Sequence, residues 1–462
     1  MKQTLVLSLV ATILMMVAPA WPLPATDFPN PDPEKEVRTP EIFPSEKLPC
    51  TLVQKQEMLE RFLRYIAIES GSQLPTYPIT PGQIEMADLI KSDAEALGAK
   101  VVKTDWQYVY VDIPSNLEQD CPILGFSCHL DYTPEAPGKG IKPTVIEYKG
   151  GDIVLADGSV ITPSKPDGED LPGLVGKTLI HTDGTTLLGG DDKNGCTILM
   201  SLVETLMNSN MRHGRVQFVF CPNEDVGGAA EHIDTTLFCP DILFDVDSKG
   251  GHEVFDCNFT AQQLAVRFMG HPAHPQDAKA KKMGDALAAA ATYIAAIPLK
   301  YRPERTEGKE GYIQHYSINT ENSGVDYVVY SRIRYFDKRE GELFNKIINE
   351  SLEKVNTDFP YVKTEVIKNE LLYDNVAYSM HPSSREVLYR ASSRSGVEIS
   401  INSKRAGTTA ALFVAKGLKG GMGVFSGQHN AHSIHEYSCL EEMMDSYRLL
   451  LYSIDEVARL EN

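Results

Sequence analysis

Short apolar runs that break off at acidic residues or histidines constrain this chain more than any other feature. Residues 216–221 and 242–246 are mostly apolar, without the alternation of a half-exposed sheet, so they read as central strands of a parallel sheet. Residues 108–113 and 123–129 read as further strands. Helical patterns lie between them. Residues 56–68 carry Leu59, Phe62, Leu63 and Ile66 at helical spacing. Residues 84–97 form a second amphipathic helix closed by Gly98, and 195–207 a long apolar third. Strands alternating with helices predict an α/β sheet covered on both faces.

The order changes after about Cys257. A strand at 261–268, an Ala-rich helix at 278–297, a strand at 327–335, a helix at 340–357 and a strand at 362–367 follow. This βαββαβ-like order suits a small α+β domain inserted into the larger one. From Ser383 the helical pattern of the first domain returns. The expected division is 50–257 with 381–462 as one domain and 258–380 as the insertion.

The N-terminus reads as a targeting segment. Lys2 precedes an apolar run at 5–17, and Ala18-Pro19-Ala20 fits a small-x-small cleavage site, so 1–20 is expected to be a signal peptide. The run is too short for a comfortable membrane span, with an uncleaved N-terminal anchor as the alternative. A Pro-rich acidic leader follows at 21–49, expected as an extended linker. Export to a periplasm or the medium would place the eight cysteines in an oxidising compartment. None forms a CxxC pair, which argues against a Cys-based zinc site or a thioredoxin motif. Cys128 and Cys221 sit inside apolar runs and read as small buried hydrophobes, with disulfide pairing as the alternative. The formal charge of −19, from 44 basic and 63 acidic residues, argues against a nucleic-acid partner and an anionic membrane surface.

Four segments carry metal-type ligands, most of them at strand ends. They are Cys128-His129-Leu130-Asp131, Gly189-Gly190-Asp191-Asp192-Lys193, Pro222-Asn223-Glu224-Asp225-Val226-Gly227 and Phe244-Asp245-Val246-Asp247. His432-Ser433-Ile434-His435-Glu436 follows near the C-terminus. Each alone reads as an ordinary surface pair, solvated turn or acidic step. Together they point to chemistry, because ligands of open α/β sheets bind beyond the carboxyl ends of the strands. Clustered carboxylates repel one another unless protonated or bound to cations. Histidine with Asp and Glu suits zinc, and one carboxylate bridging two ions makes a hydrolytic centre. A further carboxylate can then take a proton from water.

The order His-x-Asp, Gly-x-Asp-Asp-Lys, Pro-x-Glu-[Glu/Asp]-Val-Gly, Val-Asp, His-Pro, His-x-x-His-Glu resembles the M20 metallopeptidase family, and most nearly its aminotripeptidase branch. The resemblance runs from about Glu57 to the C-terminus. Leu59-Glu60-Arg61-Phe62-Leu63, Gly150-Gly151-Asp152-Ile153, Thr182-Asp183-Gly184, Thr306-Glu307-Gly308 and Arg405-x-Gly407-Thr408 add to it. It implies a catalytic domain with a mixed sheet flanked by helices, plus an inserted α+β lid and dimerisation domain. It implies two Zn²⁺ ions, for which Co²⁺ or Mn²⁺ can substitute. His129 and Asp247 would bind the first, Asp225 and His432 the second, and Asp191 would bridge them, with a cis peptide after it. Glu224 would be the general base and Asp131 would orient the ligands. His274, in the lid loop, matches an oxyanion-stabilising histidine often delivered by the partner subunit; a surface role is the alternative. Arg334 matches a substrate-carboxylate arginine, with a structural ion pair as its alternative, and Asn258 and Arg405 are further substrate-contact candidates.

The chain departs from the branch at several positions. Asp225 stands where the branch has Glu, Asn223 where it has Asp, and Gln276 where it has Gly. Thr409 and Ala410 replace an Asp-Gly pair. A signal peptide is unusual for a branch that is typically cytoplasmic. The implied activity is removal of the first residue from a tripeptide with a free N-terminus. A dipeptidase, a carboxypeptidase or an N-acyl-amino-acid amidohydrolase would use the same centre. An exported, inactive peptide-binding homologue is the alternative of another class. No Gly-x-Ser-x-Gly elbow supports a serine hydrolase. The expected partners are a short peptide and a second copy bound through the lid, with no membrane after signal cleavage.

Overall fold

The computed structural model describes Leu48 and residues 52–460. The expected signal peptide, the leader apart from Leu48, and Cys50 lie outside the described residues. No described helix is long and apolar enough to cross a membrane.

An 11-stranded mixed sheet organises the larger layer. Its main path runs Lys100–Lys103, Val109–Ile113, Val216–Cys221, Leu124–His129, Ile242–Lys249, Gly421–His429, Tyr437–Cys439, Thr178–His181, Thr144–Glu147. The four strands from Val216–Cys221 to Gly421–His429 are parallel, and the flanking ones are antiparallel. Strand Glu253–Asn258 branches off, antiparallel to Gly421–His429 and parallel to Ser400–Lys404.

The missing alternation in the central runs has a direct cause. Val216–Cys221, Leu124–His129 and Gly421–His429 are buried along their whole length. On one face Phe126, Phe218, Phe220 and Phe244 pack among the helices Lys55–Ile66, Pro81–Ala96, Gly190–Met207, Ser384–Ser395 and Leu440–Val457. On the other, Val219, Cys221 and Leu243 meet Phe238, Phe413 and the alanines of helix Thr409–Val414. Cys128, Cys196 and Cys221 are buried free thiols, and all seven described cysteines are free.

The second layer is a four-stranded antiparallel sheet in the order Tyr312–Glu321, Asp326–Tyr335, Thr260–Met269, Lys363–Tyr373. Helices Ala286–Ala296 and Lys338–Asp358 cover one face, closing a core of Leu264, Val266, Phe268, Tyr293, Ile313, Val329, Ile333 and Phe344. The chain order is βαββαβ. Strand Tyr312–Glu321 escapes the sequence pattern because it is an edge strand with only Ile313 fully buried. The Ala-rich helix starts at Ala286, eight residues later than its composition suggests, because Asp285 caps it by accepting from Ala288 N at 3.0 Å. Residues 278–282 form turns instead, and Gly284 makes an isolated bridge to His271.

The chain passes between the layers twice, and asparagines hold the crossing. Asn258 Oδ1 accepts from Val376 N at 2.9 Å, and Asn258 Nδ2 donates to Phe259 O at 2.7 Å. Asn375 Oδ1 accepts from Asn258 N at 3.3 Å, and its Nδ2 donates to Phe336 O at 3.2 Å.

Candidate metal centre

The parallel strands deliver their polar ends to one place. His129 closes strand Leu124–His129, and Asp247 projects from Ile242–Lys249. Glu224 and Asp225 follow Val216–Cys221, and His432 follows Gly421–His429. Asp191 comes from the start of helix Gly190–Met207, where Asp191 and Asp192 have non-helical dihedrals and the peptide bond between them is cis.

Local sequence explains each placement. Asn223 at φ 56° and Gly227 at φ 83° bracket the Glu224–Val226 turn in left-handed conformations, which Gly and Asn adopt most readily. Asn223 is locked by its amide: Nδ2 donates to Thr76 O at 2.6 Å, and Oδ1 accepts from Gln83 Nε2 at 2.9 Å. An aspartate could not supply that donor, which gives the departure from the branch a structural reason. Asp131, fully buried, accepts from Glu224 N at 2.9 Å and Asp225 N at 3.2 Å, and its Oδ1 lies 3.5 Å from His129 Nδ1. It therefore sets the turn that bears Glu224 as well as facing the histidine.

His129 Nε2 lies 2.9 Å from Asp191 Oδ1 and 3.7 Å from Asp247 Oδ1. His432 Nε2 lies 2.9 Å from Asp225 Oδ1 and 3.4 Å from Asp191 Oδ2. His129–Asp191–Asp247 and Asp191–Asp225–His432 thus form two ligand triads sharing Asp191, each with its ligand atoms within 4.8 Å of one another. Glu224 Oε2 stands 3.9 Å from His129 Nε2, beside the cluster. Oxygen and nitrogen ligands converging at such separations match ions bound at about 2.0–2.2 Å. Asp225 Oδ2 is buried without a hydrogen-bond partner, a costly state for a carboxylate oxygen that coordination would relieve. The residues therefore fit a pair of divalent cations.

The electrostatics agree. Burial pushes the Asp225 carboxyl up to about 7 and, with the charge of Asp191, holds Asp247 well above its usual range. Hydrogen bonds to Asp191 and Asp225 raise His432 to about 11. Burial would lower His129, but the Asp247 charge and the bonds to Asp131 and Asp191 outweigh it and raise the group. Burial would raise Asp191, and the bonds from His129 and His432 lower it instead. Without cations the cluster holds protons that metal ions would displace.

Several supporting residues have no signal in local spacing. Glu436, buried, accepts from Leu188 N at 2.7 Å, Gly189 N at 2.8 Å and Asp191 N at 2.9 Å, which shapes the turn presenting Asp191. It closes the His-x-x-His-Glu motif, yet only the fold gives it this job. Glu135 Oε2 faces His432 Nδ1 at 3.1 Å, and Gln428 Nε2 donates to Asp247 Oδ1 at 3.2 Å. Thr409 Oγ1 donates to Glu224 Oε1 at 2.7 Å.

The residues expected to touch substrate divide between framework contacts and a cavity lining. Asn258 is 1% exposed and holds the crossing between layers. Arg405 donates to Gly308 O, Glu310 O and Thr306 Oγ1 at 2.8–2.9 Å and stacks on Phe259, tying the Thr306-Glu307-Gly308 loop down. Arg334 donates to Gln262 O at 3.2 Å and, with Arg405, Arg332, Tyr312, Tyr316 and Tyr373, lines a cavity of about 460 Å³. His274 caps the short turn Pro275–Asp277, its Nδ1 accepting from Gln276 N at 3.3 Å. It makes no hydrogen bond with the carboxylate cluster among the described residues.

The model of peptidase family M20/M25/M40 matches residues 181–456. Peptidase T of Escherichia fergusonii is 32% identical over 404 residues, covering 86% of this chain and 97% of that protein. Peptidase T of Clostridium perfringens is 33% identical over 406 residues, covering 85% and 97%. Among solved structures, aminopeptidase PepT from Bacillus cereus superposes with a TM-score of 0.68 at 20% identity, covering 88% of this chain and 100% of that one. A dinuclear metal-binding M20 peptidase from Bacillus subtilis superposes at 0.61 with 12% identity, covering 88% and 99%.

Proposed function

We propose, from the premise that this chain belongs to peptidase family M20/M25/M40 and to its peptidase T branch, that it is a two-zinc aminopeptidase that removes the N-terminal residue of tripeptides. The observation carrying this reading is the pair of ligand triads sharing Asp191, with Glu224 beside them. Zinc ions held there would polarise the scissile carbonyl and acidify a water molecule. His129, Asp247, Asp225 and His432 would be terminal ligands and Asp191 the bridge.

Glu224 takes a proton from the attacking water as its oxygen bonds the carbonyl carbon. It returns that proton to the departing amine as the C–N bond breaks. Asp131 keeps the base in place through the backbone N–H groups of Glu224 and Asp225. His274 would donate to the developing oxyanion only from a closed lid or from the partner subunit. Arg334, lining the cavity beside Arg332, is the candidate grip for the peptide's carboxylate. The N-terminal segment supports export, with cleavage after Ala20; N-terminal sequencing of the mature protein tests that.

The activity test is turnover of a free-amine tripeptide, its dipeptide and its N-acetylated form, with chelator and with added zinc. Cleavage of the tripeptide alone, abolished by chelator and restored by zinc, is the expected result. Cleavage of the dipeptide or the blocked peptide instead would move the substrate to another branch. Binding of the tripeptide without cleavage in added zinc would sink the enzymatic reading.

A further inference from the structure

The carboxylate of Glu224 has two different surroundings. Oε2 faces His129 Nε2 at 3.9 Å, on the side of the metal ligands. Oε1 accepts from Thr409 Oγ1 at 2.7 Å. Thr409 is 3% exposed and is the first residue of helix Thr409–Val414. That helix is well anchored. Thr408 caps it by accepting from Ala411 N at 3.1 Å, and Ala410, Ala411 and Phe413 pack on the sheet face that includes Val219 and Cys221. Strand Val216–Cys221 is the one that leads into Glu224. The donor and the base are therefore fixed to the same strand from opposite ends of the contact. A β-branched side chain adds stiffness at χ1.

We infer that Thr409 is a positioning residue for the general base, an inference that rests on the role proposed for Glu224. A threonine hydroxyl has a single proton to donate, and here it goes to Oε1. This fixes the carboxylate torsion so that Oε2 faces the water and, later, the departing amine. A neutral donor orients the base without placing a charge beside it. The departure at this position then has a chemical sense. An aspartate in place of Thr409 would bring a second anion against Glu224, and the pair would need a shared proton or a cation. Threonine brings its own proton.

The test measures kcat, KM and bound zinc for the full chain with a free-amine tripeptide. Thr409→Val keeps the shape and removes the hydroxyl; Thr409→Ser keeps the hydroxyl. The expected result is a loss of about tenfold in kcat for Thr409→Val, the worth of one neutral hydrogen bond, with KM and zinc content unchanged. Thr409→Ser recovers most of it. Wild-type kcat in Thr409→Val, a fall in bound zinc that accounts for the loss, or no recovery in Thr409→Ser would each overturn the inference. Glu224→Gln separates the two levels of argument. Full turnover in Glu224→Gln removes the base assignment itself. An inactive, zinc-loaded Glu224→Gln beside a fully active Thr409→Val removes only the role of Thr409. In the Glu224→Gln background, Thr409→Val is expected to cost nothing further, since its effect passes through the base.

Discussion

Asp191 shows how much one carboxylate carries in this centre. Its two oxygens face different histidines, His129 through Oδ1 at 2.9 Å and His432 through Oδ2 at 3.4 Å. Its own backbone N–H is held by Glu436 at 2.9 Å. An amide keeps the shape but cannot bridge two cations as an anion. On the proposed two-zinc reading, Asp191→Asn is expected to lower bound zinc from two ions to one or none per chain and to lower turnover by orders of magnitude. Metal analysis of dialysed protein checks this, and two retained ions would remove Asp191 as the bridge. Protonation adds a second expectation. In the cation-free cluster hydrogen bonds to Asp191 and Asp225 raise His432 to about 11 and burial raises Asp225 to about 7, so near neutrality His432 is protonated and Asp225 partly so, and bound zinc would displace those protons. Zinc affinity should therefore fall as pH is lowered, and calorimetry in buffers of different ionisation enthalpy should record net proton release. Affinity independent of pH between 6 and 8 would contradict it.

The loop that carries His432 is fastened by histidine–carboxylate contacts, and the one at buried His429 makes that element sensitive to pH. His429 ends the preceding strand, buried and stacked on Tyr437 at 4.7 Å. Its Nδ1 faces Asp170 Oδ2 at 2.9 Å and its Nε2 faces Glu442 Oε2 at 2.8 Å. Downstream, His435 Nδ1 meets Asp167 Oδ2 at 2.7 Å, and Asn430 donates to Asp167 O. Burial would lower His429, but the bonds to Asp170 and Glu442 prevail and raise it above its ordinary 6.5. A group raised on folding contributes stability that is complete below its unfolded value and is lost as pH climbs through the folded one. The bond from His429 lowers Asp170, whose contribution is present above the ordinary carboxylate range and lost in acid. In thermal melts across pH 5 to 10, wild type should exceed His429→Gln by most at the acid end of that range. The gap should narrow as pH rises above about 6.5. A gap constant across that range would show that His429 contributes packing alone.

At the scale of the whole molecule, the two layers have separate apolar cores but only one is organised around the charged cluster. The larger layer places five acidic side chains, Asp131, Asp191, Glu224, Asp225 and Asp247, around His129 and His432. That arrangement is self-repelling without cations, so binding and folding are linked. Zinc at a hundredfold excess over its dissociation constant adds about 2.7 kcal/mol per site if the unfolded chain does not bind it. Chelation is expected to lower the melting temperature, and zinc to restore it. A melting temperature unmoved by chelator, in protein shown to have lost its metal, would mean that the cluster is stable by protonation alone.

Most of the ligands were legible because they lie in or just beyond apolar strands, and a fully buried parallel strand can present charge only at its ends or across a cation; Asp191, at the start of a helix, was legible only through its motif. His129, Asp191, Asp225, Asp247 and His432 come together as two groups of candidate ligands. The order of elements in the second layer was legible for the same reason, through periodicity, except for strand Tyr312–Glu321, whose exposure at a sheet edge erases the pattern. What surrounds the ligands was not legible. Thr409 meets Glu224 across 185 residues, Glu436 meets Leu188 across 248, and Glu135 meets His432 across 297. Contacts at such separations leave no local trace in the chain; only packing of the helices and loops against the sheet decides them. Asn258 makes the same point, since packing commits its side chain to holding the framework together. The sequence by itself determined which groups can bind cations and which elements carry them. The tertiary structure alone decided how each group is aimed, because orientation depends on hydrogen bonds between segments that meet only in the folded chain.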